Sequence, residues 1–239
     1  MDKVTMKIGA ETYSSAITQA VNYTHWVIDA FADYIGDHLL EVGLGHGSYR
    51  AFLPPLKGYV GIDIDEAAIE TASARYPHDT FLCADVADPC LIDCLVGTPI
   101  DTVLCANVLE HIEDDKAAVR VLLALLREGG HLLLFVPALP LLYGEMDRLA
   151  GHHRRYTKHS LAALVPPNKG RVLVNRYFNP VGALGWWVNG LLPHRSLNSN
   201  AINGQISLFD RYVLPVSRLI DPLTRSFFGQ SIACVVQKQ

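Results

Sequence analysis

Short apolar runs alternate along this chain with longer stretches in which apolar residues return every three or four positions. A run of four to eight apolar residues bounded by Gly, Asp or Pro reads as a strand buried on both faces, and the three-to-four spacing reads as helix. Residues 14–35 place Ala16, Ala20, Tyr23, Val27 and Phe31 on one helical face. Strands are predicted at 39–42, 59–64, 80–84, 101–106 and 131–136, with a helix over 66–75 that ends near Pro77. Glu113-Asp114-Asp115 precedes AAVRVLLALLREGG. Acids at the start and glycines at the end complement a helix dipole and close its last turn, so this stretch also reads as helix. Beyond Pro137 the pattern loosens into a loop over 138–156, a helix over 158–165, a strand over 172–177, a largely helical stretch over 180–229 and a final strand, SIACVVQK.

Strands alternating with helices predict an α/β fold, a mostly parallel seven-stranded sheet with helices on both faces. The last strand is expected to be antiparallel, after an extra helical segment. The 239 residues, half of them hydrophobic, suit one elaborated domain. Three regions divide it: an N-terminal helical region over 1–37 that could act as a lid, a core over 38–137, and a region over 138–239 that carries the variable chemistry.

Candidate chemistry sits where the predicted strands end. EVGLGHG, residues 41–47, follows the first strand, and its glycines at 43, 45 and 47 permit a tight turn and close approach of a ligand to the backbone. The spacing is GxGxG; Ser48 stands where the third glycine of the dinucleotide fingerprint would fall, so the NAD pattern fits poorly. Asp63 ends the second strand, where a carboxylate can accept from both hydroxyls of a ribose, and Asp65 reads as the cap of the next helix. Asp85 ends the third strand in FLCADV, where it can accept from an adenine amino group. CANVLEHI ends the fourth.

EVGLGHG, VGIDID, CADV and ANVLEHI, in that order and followed by LLREGGHLLLFVP, resemble the successive motifs of class I S-adenosylmethionine (SAM)-dependent methyltransferases over residues 38–137. The resemblance implies a Rossmann-like fold with SAM as cofactor. It implies that Glu41, Gly43, Gly45 and Asn107 line the methionine part, that Asp63 with Ile64 holds the ribose, and that Asp85 with Val86 holds the adenine. NYTHWVID, GHHRRYTKHSL, NPVGALGWWVNG and FFGQSIACVVQK are similar to one subgroup, small bacterial methyltransferases of the type-11/12 kind. His152 stands where that subgroup usually has histidine, and His153 where an aromatic residue is common.

Methyl transfer to a hydroxyl or ammonium needs a base, and transfer to a carboxylate needs a cationic clamp. GHHRRY offers both. His152 and His153 are candidate bases, Arg155 is a candidate clamp, and Tyr156 completes the set. Adjacent residues do not point the same way, so one histidine and one arginine are expected to face the pocket. The alternative is structural, with the arginines paired to Glu145 and Asp147. His111 lies near the expected cofactor edge. Tyr23 and Trp26 are read as lid residues over the cofactor, or else as the apolar face of a packed helix. No metal is expected, because Glu110-His111 lacks a second histidine at metal-binding spacing.

The net charge of −4 argues against a nucleic-acid partner, as does NVLE in place of a [DN]PP[YF] motif. Five cysteines without CxxC spacing, and an N-terminus without an apolar leader, predict a cytoplasmic protein. The longest apolar stretch, 131–143, is too short to span a bilayer. Trp186-Trp187 is expected to roof the acceptor pocket or to form a homodimer contact, ahead of touching a membrane. The function expected is methyl transfer to a small-molecule or sugar acceptor. The alternatives are another SAM-dependent reaction on the same fold and a silent SAM-binding scaffold.

Overall fold

A computed structural model of the chain describes residues 20–45, 49–190 and 200–239. The elements in order are α1 (Val21–Asp29), β1 (His38–Val42), β2 (Gly58–Asp63), α2 (Glu66–Arg75), β3 (Thr80–Cys83), α3 (Leu91–Cys94), β4 (Thr102–Ala106), α4 (Asp115–Leu125), β5 (His131–Pro137), α5 (Glu145–Leu149), α6 (Lys158–Ala162), β6 (Gly170–Phe178), α7 (Pro180–Gly190), α8 (Asn200–Leu208), α9 (Leu214–Thr224) and β7 (Ser231–Lys238). A five-residue π-turn, Phe209–Val213, joins α8 to α9.

The strands form one sheet in the order β3-β2-β1-β4-β5-β7-β6. All neighbours pair in parallel except β7, which runs antiparallel to both β5 and β6. The chain moves outward from β1 to β3 and then returns to place β4 on the other side of β1. That reversal opens a crevice at the carboxyl ends of β1 and β4.

Period-two alternation sorts the sheet's side chains into two cores. Leu132, Leu134 and Val136 of β5 pack with α3, α4 and α6 on one face. Leu133 and Phe135 pack with Trp26, Val27 and Ile28 of α1, with Phe31 just beyond it, and with Leu214 of α9, on the other. Strands buried on both sides explain why the sequence reads there as unbroken apolar runs.

The caps follow the sequence. Asp65 accepts from the amide of Ala67 at the start of α2, and Asp114 from that of Ala117 at the start of α4. Thr157 and Ser160 close the first turn of α6 reciprocally. The first helix is capped from far away: the Asp210 carboxylate accepts from the amides of Asn22 and Tyr23. That helix is shorter than its predicted span. The described part ends at Asp29 and gives way to a tighter turn at 32–34, while residues 14–19, the N-terminal part of the predicted helix, lie outside the described residues. Two short helices, α3 and α5, were not foreseen, because four or five residues are too few for a periodic signal.

Candidate active site

The turn after β1 is held open for a ligand. Gly43 and Gly45 have φ of +68° and +52°, in the left-handed region, and a Cβ at Gly43 would overlap a methyl of Val108. Only glycine meets both demands. The Asp63 carboxylate accepts from the amides of Gly45 and Asp65, each at 2.9 Å. It thereby fixes the turn to the end of β2 and keeps lone pairs for further donors. Ile64 beside it is half exposed. At the end of β3, Asp85 is exposed while Val86 is buried, a polar group and an apolar wall side by side. Its Oδ1 accepts from the amide of Ala87 at 2.8 Å, leaving Oδ2 open. At the end of β4, Asn107 also has positive φ, +55°, which turns its exposed side chain out of the strand line. The buried hydroxyl of Tyr49 bonds to that side chain, a neighbour that no motif announced. Gly47 lies outside the described residues.

Glu41 is 1% exposed. Its Oε2 accepts from the Tyr59 hydroxyl at 2.8 Å, while Oε1 has no partner. Burial pushes this carboxyl up to about 8, against the pull of Tyr59. A buried carboxylate oxygen left open is costly by itself and suits a cationic ligand group.

The loop after β5 builds a second cluster facing the turn after β4. Asp147 of α5 is fully buried. Its Oδ1 accepts from His152 Nδ1 at 2.8 Å and from Arg155 Nε at 2.7 Å, and its Oδ2 from the Gly144 amide at 3.0 Å. Burial alone would raise the carboxyl, yet these donors and the Arg155 charge hold it below the usual range. A carboxylate accepts only, so His152 carries its proton on Nδ1 and presents Nε2, 3.9 Å from Glu110 Oε1. Glu110 is fully buried, both its oxygens lack partners, and burial pushes it up to about 7. The rings of His111 and His152 stand edge to face at 4.9 Å. Burial lowers His111 to about 4, so it is neutral at physiological pH.

GHHRRY therefore splits by side. His152 and Arg155 turn to Asp147, while His153 is exposed and only its amide is engaged, with the Glu110 carbonyl at 2.7 Å. Arg154 pairs with Asp115 at 3.0 Å. Two expectations are corrected here. The Arg155 side chain is 1% exposed, bonded to Asp147 and to the Ala138 carbonyl and stacked 4.7 Å from the Trp186 ring, so it braces the loop and is not available as an acceptor clamp. Tyr156 is 2% exposed, and its hydroxyl lies 2.9 Å from Asp115 and 3.1 Å from the Leu109 carbonyl. It pins the loop to the turn after β4. Trp26 is a core residue and Tyr23 is half-buried against the same core, as the packed-helix alternative has it. Trp26 packs on Phe178 at 4.0 Å, and the buried Tyr23 hydroxyl, raised to about 12 by burial, bonds to Ser231 and Asn179.

Glu110, His111 and His152 each bring one ligand atom within 4.8 Å of the others. Two imidazoles and a carboxylate form a donor set for a first-row divalent cation.

The fold is that of the class I SAM-dependent methyltransferases. Residues 40–132 match the model of a family described as a methyltransferase domain. A probable SAM-dependent methyltransferase of Mycolicibacterium smegmatis is 31% identical over 103 residues, 43% of this chain and 38% of that protein. A phosphoethanolamine N-methyltransferase of Triticum aestivum is 28% identical over 112 residues, 44% of this chain and 22% of that one. The chain thus matches well under half the length of either relative. The solved N-methyltransferase NodS of Bradyrhizobium japonicum, in complex with S-adenosyl-L-homocysteine, has a TM-score of 0.54 at 13% identity, over 95% of this chain and 88% of that one.

Proposed function

We propose that this protein is an enzyme that transfers the methyl group of SAM to an oxygen or nitrogen of a small-molecule or sugar acceptor. The observation that carries this reading is one juxtaposition. A glycine turn with no room for a side chain, open carboxylates at the ends of β1, β2 and β3, and an imidazole oriented by a buried carboxylate all border the switch between β1 and β4. The residues fit SAM group by group. Glu41 Oε1 suits its ammonium, Asp63 its ribose hydroxyls, and Asp85 with Val86 its adenine. The activities of the relatives agree.

When bound, SAM supplies a methyl group activated by its sulfonium. The protein's own part is to align an acceptor and take up its proton. Asp147 fixes the His152 ring so that Nε2 faces the cluster, and it stabilises the imidazolium once Nε2 has accepted the acceptor's proton. The positions of Arg155 and Tyr156 keep this loop from drifting, since misplacing a base by about 1 Å can cost 100-fold in rate. Trp186, half-buried over Arg155, walls the same side. Among the described residues no helix is long and apolar enough to cross a membrane. Three exposed free thiols, Cys83, Cys90 and Cys94, favour a reducing compartment, so the cytoplasm is the proposed location.

The test is purified protein incubated with SAM and a panel of hydroxyl, amine and sugar acceptors. S-adenosylhomocysteine formed only in the presence of an acceptor is the expected product. Methylthioadenosine would replace methyl transfer by another SAM reaction, and SAM binding without any product would favour a scaffold.

A further inference from the structure

The segment running through α8, the π-turn and α9 is built inside out. The face turned into the protein carries Asp210, Leu214, Ser217 and Asp221, all buried. The face turned to water carries Leu208, Tyr212, Val216, Leu219, Leu223 and Phe227, which are 51–79% exposed. Steps of three and four place Leu208 to Leu223 on one line through α8, the π-turn and α9, and Phe227 stands in the turn just beyond. A surface helix of a soluble protein shows the reverse arrangement, with apolar residues inward. The two inward acids are occupied within the fold, Asp210 by the start of α1 and Asp221 by the amide of Asn179 at 2.9 Å. The segment therefore has a reason to sit as it does, and its apolar line is left outward.

The segment's own exposed charges beside that line have one sign. Arg211, Arg218 and Arg225 recur at seven-residue spacing and are exposed. Arg218 pairs with the exposed Asp29 of α1 at 2.6 Å. Residues 200–239 contain two acids, Asp210 and Asp221, and both are buried. The asymmetry extends further: residues 148–239 hold twelve of the twenty Lys and Arg and two of the twenty-four Asp and Glu. The overall charge of −4 conceals an acidic N-terminal part and a basic C-terminal one. Beside α9, helix α7 adds Leu184, Trp187 and Val188, each more than half exposed.

We propose that the outward face of α8 and α9 docks on the surface of an anionic lipid bilayer, lying in the interface without crossing it. Leucine, valine and aromatic side chains enter the boundary between headgroups and acyl chains, and the flanking arginines meet lipid phosphates. A second copy of the chain fits less well, because a two-fold contact would set the arginine row against itself with no exposed acid from the same segment to receive it. A polynucleotide would satisfy the arginines and leave six large apolar side chains uncovered.

The experiment is flotation of the full chain with vesicles of phosphatidylcholine alone and of phosphatidylcholine mixed with phosphatidylglycerol, without SAM or acceptor. Its outcome is thus independent of methyl transfer. The wild-type protein should float with the anionic vesicles, at least tenfold more than with the neutral ones, and less at high salt. The double variant Leu219→Glu/Leu223→Glu should lose that binding while keeping its circular dichroism and melting temperature, since both side chains stand in solvent. A second variant, Arg211→Glu/Arg225→Glu, should lose the preference for anionic vesicles. No flotation of the wild type, or equal flotation of wild type and the leucine variant, overturns the proposal. So does a wild-type dimer in sedimentation that the leucine variant converts to monomer with no vesicle binding in either.

Discussion

Asp101 and Glu110 are buried carboxylates at opposite ends of the same strand. Asp101 precedes β4, and its oxygens accept from the amides of Asp37 and His38 and from the Thr102 hydroxyl, at 2.9–3.1 Å. Glu110 follows β4, equally buried, and neither of its oxygens has a partner. Glu41, near the end of β1, repeats the second pattern with one oxygen open. At the amino end of the sheet a buried charge is fully used to tie the entry of β1 to the entry of β4. At the carboxyl end buried acids are left short of donors, which is destabilising in isolation and is tolerated where a ligand brings the missing donor.

The contrast breaks most visibly at the proposed base. Changing His152 to alanine removes a proton acceptor at the open end and nothing that caps an element. Turnover should fall by roughly 100- to 10,000-fold, with SAM affinity within a factor of two, as single-turnover rates and calorimetry would show. Wild-type turnover in this variant would make the loop structural and move the base to His111.

Two aspartates separate the ends next. Asp101→Ala strands two backbone amides and a hydroxyl in the interior, so stability should drop by about 1–3 kcal/mol or more, read as a lower melting temperature, with SAM affinity kept. Asp63→Ala should do the converse. It deprives ribose hydroxyls of acceptors and weakens SAM binding by roughly 1–3 kcal/mol. Its stability loss should be the smaller of the two, because the Gly45 and Asp65 amides it serves lie at the crevice. Equal losses of stability in both variants, with SAM affinity unaffected by Asp63→Ala, would erase the distinction between the ends.

The sequence exposed the residues at the carboxyl ends of the strands more fully than the cluster on the loop after β5, for a physical reason. Strands of the parallel sheet are continuous apolar runs, and each ends in one marked residue, Gly43, Asp63, Asp85 or Asn107, so position along the chain and position in the crevice coincide. The cluster on the loop after β5 is assembled from non-local contacts. Asp147 sits on a five-residue helix too short to announce itself, and Glu110 meets His152 across 42 residues. Within GHHRRY the residue types were legible, but their directions were set by packing. Arg155 and Tyr156 carry chemistry that the fold uses internally, whereas His152 keeps one nitrogen free. Tyr23 and Trp26 went the same way, since an aromatic on a helix facing Phe135 and Phe178 is core. The outward stripe of α8 and α9 was hidden by counting charge over the whole chain.

Glu41 gives the most specific effect. Its carboxyl is raised in the fold to about 8, chiefly by burial, while an exposed glutamate titrates near 4.3. The folded protein therefore keeps a proton that the unfolded chain releases. The stabilisation linked to that proton is present below about pH 4.3 and is lost as the pH rises toward 8, after which it changes no further. Glu41→Gln, which cannot ionise, should flatten this limb. It should match the wild type near pH 4 and exceed it increasingly above that, by roughly 1.4 kcal/mol for each pH unit between the two titration points, in denaturant titrations. The same proton reports on the ligand. An ammonium placed at the open Oε1 favours the carboxylate, so SAM binding at pH 6–7 should expel a proton from wild type and none from the variant. Calorimetry in buffers of different ionisation enthalpy measures that release directly. A proton count that does not differ between the two proteins would mean that the open oxygen of Glu41 faces something other than the bound amino acid.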